Sequence, residues 1–437
     1  MKIGSEYENF VRFIFSFGIW ALVTGIWAYV WFGFYAETIL QPFYFRGDVL
    51  VIAVYGLLMF FFGRFYGMYR IGLLKYGDVI YSGILALLFC NAIAYTQTSL
   101  LYGWIAPALP IAVMTIVQTL VIILWGILAG RFFSRAFSPR ELLMVYGGEN
   151  LAGSLQQKML SYKEKYAVRA AVDINLGLGK ISEMLGDYDG VVLCDLPSEL
   201  RNDLLKFCFL CGKQTYITPK IPDILLRGAS EVDLFDTPLL YSTNDGLSAW
   251  ERTLKRFMDI SFAIFGFLFA FPFFLLIVPA VKFCDMGPVF YRQKRLTKNG
   301  RVFWLYKFRS MIVDAEKQSG ARLSDENDER VTFVGKLLRK LRLDELPQLW
   351  NILKGDMSVV GPRPERPEIA ARYEKEMPEF VYRLRVKAGL TGLAQTVGRY
   401  NTTAYDKLKM DLAYITNYSL RQDIKLIFIT VKILFLN

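Results

Sequence analysis

The stretch ISFAIFGFLFAFPFFLLIVPAV, residues 260–281, is apolar and carries no charged side chain. It is long enough to cross the hydrocarbon core of a bilayer as a helix. Pro272 lies near its midpoint, removes one backbone hydrogen bond and favours a bend. Lys255 precedes the stretch and Lys282 follows it, so basic residues flank both ends. This pattern predicts a bent, re-entrant helix over about 256–282, with a full membrane crossing as the alternative.

The last third of the chain holds nearly all of its excess positive charge. Residues 283–437 contain 28 Lys and Arg against 18 Asp and Glu, and the whole chain has a formal net charge of +11. Basic segments next to membrane helices tend to stay on the cytoplasmic side. This distribution favours the re-entrant helix, because a crossing would move the basic part outside the cell.

Four apolar segments precede this region and predict an α-helical transmembrane bundle over residues 1–134. The first segment lacks a small-residue cleavage site, so we expect it to be retained. Arg and Lys follow the second and fourth segments, whereas the loop 103–110 carries no charge. Both ends of the chain are therefore expected on the cytoplasmic side of a bacterial inner membrane. The segments are approximately Phe13–Tyr35, Val49–Phe62, Ile80–Tyr102 and Ile111–Gly130.

The composition also limits the class of protein and of site. With 54% hydrophobic residues the chain is too apolar for an ordinary soluble enzyme, which makes membrane lipid an expected partner and nucleic acid an unexpected one. The chain contains no histidine, so carboxylates must carry any acid-base work. Its five cysteines are scattered and odd in number, which argues against a disulfide framework and fits a reducing cytoplasm.

Residues 135–250 alternate short apolar runs with polar helical stretches, which predicts a Rossmann-like α/β domain with a structural or dimer-forming role. Gly147 and Gly148 follow the first strand in a turn before a helix, where a dinucleotide can place its phosphates. Glu149 stands where the dinucleotide fingerprint requires glycine, which favours a tight turn without a ligand and leaves nucleotide binding as the alternative. The predicted strands are Leu142–Tyr146, Val168–Val172, Gly190–Cys194 and Gln214–Thr218.

Two adjacent carboxylates, Asp344 and Glu345, follow a basic amphipathic run in LLRKLRLDELP, residues 337–347. Pro347 lacks a backbone N–H and suits the first turn of a helix, which we predict over Pro347–Leu353. The pair then lies near a helix N-terminus, where negative charge is favoured. Most Asp-Glu pairs are solvated surface residues or helix caps, so the dipeptide alone is a weak signal.

Several cations accompany the pair in the sequence. A carboxylate that attacks a phosphorylated substrate needs its repulsion from the phosphate cancelled, which Mg²⁺ and Lys or Arg groups achieve. Each cation taken alone is more simply explained as a solvated side chain. The candidate phosphate contacts are Lys307, Arg309, Arg339, Arg363 between two prolines, and Arg399 after a glycine-rich turn.

Taken together, these segments resemble the bacterial sugar transferase family, the polyprenyl-phosphate hexose-1-phosphate transferases with a monotopic catalytic core. The resemblance covers roughly residues 252–437 and implies a mainly α-helical catalytic domain over 251–437 with a re-entrant membrane helix. The preceding bundle and α/β segment are similar to those of the long family members, including the undecaprenyl-phosphate galactose- and glucose-1-phosphate transferases. The matching motifs are GPVFYRQKR (287–295), YKFRSM (306–311), LDELPQLWNILKGDMSVVGPRPE (343–365) and AGLTGLAQTVGR (388–399).

The resemblance implies specific roles. Asp344 would be the nucleophile and Glu345 would help hold Mg²⁺, while Arg339 and Arg363 would line the phosphate and nucleotide site. Lys307, Arg309 and Arg399 occupy further motif positions and are assigned phosphate contacts. The re-entrant helix of the family usually breaks at Ser-Pro, whereas this chain has Phe271-Pro272. Pro272 keeps the expected structural break, but any hydroxyl support for the freed carbonyl groups must come from elsewhere.

The implied reaction moves a hexose-1-phosphate from a UDP-sugar to polyprenyl phosphate, with UMP as the second product, at the first membrane step of surface polysaccharide synthesis. The partners are the UDP-sugar, the lipid acceptor and, in a homodimer, a second copy of the chain. A membrane glycosyltransferase that releases UDP is one alternative, and a non-catalytic membrane scaffold is another. The apolar C-terminus, 424–436, is expected either to lie on the membrane surface or to pack as an ordinary helix.

Overall fold

The computed structural model describes residues 7–44, 46–163, 165–234, 236–242, 247–313, 330–398 and 402–434. Its internal contacts group the chain into two compact units, Met1–Thr218 and Pro219–Asn437. The sequence predicts three parts with boundaries near residues 134 and 250. That three-part division stays a prediction, and each unit is described by itself below.

The first unit begins with four long helices where four apolar segments are predicted. Each is long and apolar enough to cross a membrane. The first helix continues directly into a π-helical segment, Trp31–Tyr35, and the fourth carries Pro110 in its first turn, where a missing N–H costs nothing. The helices are α1 Glu8–Val30, α2 Arg46–Tyr66, α3 Tyr76–Tyr102 and α4 Leu109–Ala136.

A buried network of neutral polar side chains joins all four helices. Tyr55 of α2 donates to Asn91 Oδ1 of α3 at 2.7 Å, and Asn91 donates to Gln118 Oε1 of α4 at 3.0 Å. Gln118 in turn donates to the carbonyl oxygen of Val23 in α1 at 3.0 Å. Since an unpaired polar group is costly in an apolar interior, this network fixes the register of the bundle.

A four-stranded parallel sheet follows the bundle, and all four predicted strands are present. Its strand order is β2-β1-β3-β4, which places the first strand of the segment at an inner position. The elements in chain order are β1 Arg140–Tyr146, α5 Glu149–Leu160, β2 Tyr166–Asp173, α6 Leu178–Met184, β3 Gly190–Cys194, α7 Ser198–Leu210 and β4 Gln214–Ile217.

The glycine turn after β1 has a packing reason. A Cβ atom on Gly147 would lie 2.7 Å from the carbonyl oxygen of Asp195, so only glycine fits there without a shift of the backbone. This contact agrees with the tight-turn interpretation of Gly147 and Gly148. Nucleotide binding at the turn stays an open alternative.

The second unit begins before the predicted boundary at residue 250. The short helix α8, Ile221–Leu226, packs Ile221 and Ile224 against Leu408 and Leu412 of a later helix. Two exposed strands follow, β5 Ser230–Leu234 and β6 Thr237–Tyr241, which pair antiparallel. The contacts of α8 therefore place it with the C-terminal unit rather than with the parallel sheet.

The stretch that contains Pro272 forms one helix, α9 Ala249–Asp285, of 37 residues. Ser248 caps its first turn in a capping box with Glu251. The helix is also long and apolar enough to cross a membrane, and its assignment continues through Pro272 and Pro279. The re-entrant path and the break at Pro272 remain predictions, because a helix can bend at a proline without ending.

The basic residues at the start of α9 have partners inside the protein. Lys255 Nζ lies 2.6 Å from Asp423 Oδ2 in a buried ion pair, and it donates to the carbonyl oxygen of Val360 at 3.0 Å. Arg256 donates to the carbonyl oxygens of Ile352 and Leu353. These contacts attach α9 to the rest of the second unit, so the two cations are more than flanking charges for membrane orientation.

The remaining elements surround a core that includes Phe303, Leu305, Leu349, Ile352 and Val360. Leu426 of the last helix is also buried in this core, which agrees with the packing alternative for the C-terminus. The elements are β7 Phe290–Leu296, β8 Val302–Phe308, α10 Phe333–Lys340, α11 Gln348–Lys354, β9 Ser358–Val360, α12 Pro367–Glu376, β10 Gly389–Thr391, α13 Leu393–Val397, α14 Ala404–Thr416 and α15 Leu420–Leu434.

Candidate active site

Asp344 and Glu345 lie in a 3-10 turn, Leu343–Glu345, between α10 and α11. Arg342 precedes the turn with φ 54° and ψ 22°, in the left-handed region that residues with a side chain rarely adopt. Pro347 is the N-cap of α11, which begins at Gln348, so the predicted helix start is confirmed within one residue. Because α11 has only seven residues, charged side chains rather than its dipole dominate the electrostatics of the pair.

The turn is attached to strand β8, which carries Lys307. Asn351 of α11 is fully buried, accepts a hydrogen bond from the Tyr306 N–H at 3.1 Å and donates to the carbonyl oxygen of Trp304 at 2.7 Å. Gly335 of α10 packs closely against the backbone that follows β8. A Cβ atom on Gly335 would lie 2.0 Å from the carbonyl oxygen of Ser310, so a larger residue would not fit without a shift. These contacts fix the distance between the carboxylates and β8.

Glu345 is paired with two cations through the same oxygen atom. Lys307 Nζ lies 2.8 Å from Oε1 and Arg363 Nη2 lies 3.1 Å from it. Burial alone would raise the pKa of Glu345, but the charges of Lys307 and Arg363 together hold that pKa well below its ordinary value. Glu345 is therefore ionised at any physiological pH.

Asp344 has a different environment although it is the adjacent residue. It is 8% exposed, and Lys307 Nζ lies 3.9 Å from its Oδ2, beyond hydrogen-bond distance. Burial raises the pKa of Asp344 above its ordinary value, with Lys307 opposing and Glu345 adding to the increase. A desolvated carboxylate that the neighbouring lysine does not hydrogen-bond is more reactive than a solvated one, which suits a nucleophile.

Residues outside the predicted site hold the backbone at Arg363. Arg383 donates to the carbonyl oxygen of Arg363 at 2.9 Å and forms an ion pair with Asp411 at 2.7 Å. Arg295 donates to the carbonyl oxygen of Pro364 at 3.0 Å, and both arginines face Glu365. Arg295 falls within a quoted motif, whereas no sequence signal distinguishes Arg383 or Asp411 from other charged residues.

The other predicted phosphate contacts form no ion pair with the two carboxylates among the described residues. Arg339 of α10 donates to Ser310 Oγ at 2.8 Å, and its charge lowers the pKa of Asp344, which places it close to the pair. Arg309 is buried and donates to the carbonyl oxygen of Val281 in α9 at 3.3 Å, so this contact is with the helix rather than with the carboxylates. Arg399 lies outside the described residues.

The carboxylate oxygens of the pair suit a metal ion that binds together with the phosphates of the substrate. In the described part of the chain, no cluster of three or more His, Cys, Asp or Glu side chains forms a ready-made metal cage. Asp344 and Glu345 nevertheless provide adjacent carboxylate oxygens, and Mg²⁺ commonly uses one or two carboxylates together with substrate phosphates. An Mg²⁺ ion is therefore compatible with this pair, in which Glu345 is the permanently ionised carboxylate.

Comparison with known proteins supplies the family. The profile described as "Bacterial sugar transferase" matches residues 250–437. The chain is 42% identical over 252 residues to a UDP-N-acetylgalactosamine-undecaprenyl-phosphate N-acetylgalactosaminephosphotransferase of Aeromonas hydrophila, covering 56% of this chain and 58% of that protein. It is 49% identical over 133 residues to a putative undecaprenyl-phosphate N-acetylgalactosaminyl 1-phosphate transferase of Bacillus subtilis (strain 168), covering 30% of this chain and 73% of the relative.

A third relative, the exopolysaccharide production protein ExoY of Rhizobium meliloti (strain 1021), is 41% identical over 191 residues, which cover 40% of this chain and 83% of ExoY. The chain thus spans only somewhat more than half of the Aeromonas protein but most of the two other relatives. The matched region contains Lys307, the carboxylate pair and Arg363. On this evidence the chain belongs to the bacterial sugar transferase family.

Proposed function

We propose that this protein transfers a hexose-1-phosphate from a UDP-sugar to polyprenyl phosphate, giving a polyprenyl-diphosphate sugar and UMP. The observation that supports this most is the buried Asp344 beside Glu345, whose Oε1 is held by both Lys307 and Arg363. This arrangement combines a reactive carboxylate with cations suited to a diphosphate. The names of the Aeromonas and Bacillus relatives describe the same class of transfer.

In the first step, a carboxylate oxygen of Asp344 attacks the phosphorus atom that carries the sugar. A bond forms between Asp344 and phosphorus while the bond from phosphorus to the bridging oxygen of UMP breaks, and UMP leaves with that oxygen and its electron pair. The cations Lys307, Arg339 and Arg363 stabilise the negative charge that develops on the departing phosphate. The product is an acyl phosphate that links Asp344 to the sugar.

In the second step, a phosphate oxygen of the polyprenyl phosphate attacks the same phosphorus atom. The bond to Asp344 breaks, and the carboxylate returns to its ionised form with the bonding electron pair. Dividing the transfer in two makes each displacement easier than a direct one. Mg²⁺, when bound through Glu345, would neutralise charge on the diphosphate and orient it.

The membrane arrangement belongs to the same proposal. We place α9 as a re-entrant helix in the cytoplasmic leaflet of a bacterial inner membrane, with a bend at Pro272. The site then lies at the interface, where a water-soluble donor and a lipid acceptor can meet. We further propose that the parallel sheet is a Rossmann-like domain that contributes to a homodimer, and that the product enters surface polysaccharide synthesis.

The decisive experiment examines the released nucleotide and the intermediate. Purified protein in lipid, given a UDP-sugar and labelled UMP without acceptor, should exchange label into the UDP-sugar, because the first step is reversible. Asp344→Asn should abolish exchange, while Glu376→Gln, a change at an exposed carboxylate of α12, should keep it. Release of UDP on addition of acceptor would identify a glycosyltransferase instead, and unchanged transfer by Asp344→Asn would remove Asp344 as the nucleophile.

A further inference from the structure

The hairpin of β7 and β8 has two different faces. Phe303 and Leu305 are buried in the core, whereas Val302 and Trp304 are 50% and 44% exposed. Alternate residues of a strand point to opposite faces, and Lys294 is the cross-strand partner of Trp304. We call Arg292, Lys294, Val302 and Trp304 the outer hairpin face.

The outer hairpin face combines an indole ring with two cations. The Arg292 guanidinium carbon lies 5.2 Å from the centre of the Trp304 ring, and Lys294 Nζ lies 5.6 Å from it. The hairpin, residues 290–308, contains six Lys and Arg and no Asp or Glu. Among the described residues no carboxylate pairs with Arg292 or Lys294, whereas Arg301 pairs with Asp356 and Lys307 with Glu345.

The apolar surface of α9 continues to this hairpin. Near the end of the helix Phe283 is 76% exposed, and Met286 and Phe290, which lead into β7, are 68% and 49% exposed. The helix itself is long and apolar enough to enter a bilayer. Four residues separate the end of this helix from the hairpin, so a helix inserted in the bilayer would hold the hairpin close to the lipid headgroups.

We propose that the outer hairpin face binds anionic phospholipid headgroups at the membrane surface. Tryptophan is enriched at this depth because its ring is apolar and its N–H is polar, and nearby Lys and Arg are attracted to anionic lipid. The sugar-nucleotide donor is not the expected occupant, because Lys307 approaches Glu345 while Trp304 and its two cations remain exposed. The surface would orient the catalytic domain on the bilayer independently of the transfer chemistry.

The test uses a fluorophore at the centre of the face. Trp304→Cys, in a background of Cys211→Ser and Cys284→Ser, is labelled with bimane and placed in vesicles containing headgroup-nitroxide lipid. We expect strong quenching, which increases when phosphatidylglycerol replaces part of the phosphatidylcholine. Since each cation near an anionic surface changes lipid occupancy by about fivefold, Arg292→Gln with Lys294→Gln should remove that increase.

Controls separate this result from misfolding and from other occupants. A label at Val302→Cys, on the same face, replaces the Trp304 position if that variant does not fold. Arg372→Cys on exposed α12 should show little quenching, and Phe269→Cys on α9 should be quenched by nitroxides placed deeper in the acyl chains. Quenching at the hairpin no greater than at Arg372 would overturn the proposal. Bimane emission that changes with the protein-to-lipid ratio but not with lipid composition would also overturn it, since a second copy of the chain would then occupy the face. Emission that changes only with UDP-sugar would overturn it too, since the donor would then be the occupant.

Discussion

Replacing Lys307 by methionine should move the acid limb of the pH–rate profile, the range in which the transfer rate falls on acidification, to higher pH. In the proposed mechanism the ionised form of Asp344 attacks, and Lys307 Nζ lies 3.9 Å from its Oδ2. Burial raises the pKa of Asp344, and Lys307 provides the largest effect that lowers it. Without that charge the pKa rises further, so the rate declines at a higher pH as the solution is acidified.

The size of the effect follows from the distance. Two unit charges about 4 Å apart interact by about 4 kcal/mol at an effective dielectric constant of about 20. An opposite charge at such a distance commonly moves a carboxyl pKa by about 1 to 3 pH units. Arg339 and Arg363 remain in the variant and also favour the ionised form of Asp344, so the acid limb should shift rather than disappear.

The assay is the initial rate of UMP release in lipid, measured as a function of pH. Lys307→Arg is the matched control, because it retains the charge and should leave the acid limb nearly in place. Tm values measured beside the rates show whether either variant is merely unstable. An equal loss of rate at every pH, with the acid limb unmoved in Lys307→Met, would refute the electrostatic argument and restrict Lys307 to binding substrate.

Three further substitutions examine the parts that hold the site. Arg383→Met leaves buried Asp411 unpaired, which should cost about 3 to 5 kcal/mol of stability and reduce kcat/KM. Arg383→Lys should restore part of the stability and part of the activity, as measured by Tm and transfer rate. Asn351→Leu loses two backbone hydrogen bonds to β8 and should lower stability by about 2 kcal/mol in chemical denaturation. Gly335→Ala forces a Cβ atom against the carbonyl oxygen of Ser310 and should cost about 1 to 3 kcal/mol, again read from Tm.

The sequence predicts most of the elements because their signals are local. Apolar length identifies α1 to α4, and alternating apolar runs identify the four parallel strands within about two residues at each end. No local signal indicates where α8 packs, because its partners Leu408 and Leu412 lie almost 200 residues later. For the same reason the sequence shows Lys255 only as a flanking charge, since its partner Asp423 is 168 residues away.

In the candidate site, too, residues in local motifs are predictable, whereas residues that act through distant contacts are not. Lys307, Glu345 and Arg363 were selected from motifs, and the structure brings them within hydrogen-bond distance. Arg383 and Asp411 were not selected, because an arginine that holds another residue's carbonyl group has no distinctive sequence neighbours. Arg309 was selected for its motif, yet its hydrogen bond to Val281 relates it to the end of α9.

Adjacent carboxylates in one turn acquire different properties because their neighbours differ. Glu345 receives Lys307 and Arg363 on a single oxygen, which keeps it ionised and leaves it a poor nucleophile, since its charge is already stabilised. Asp344 lies beyond hydrogen-bond distance from the same lysine and is desolvated, so its negative charge is available for attack. Exchanging the two residues, Asp344→Glu with Glu345→Asp, should therefore abolish transfer although composition and net charge are unchanged, because each environment is built for one side-chain length.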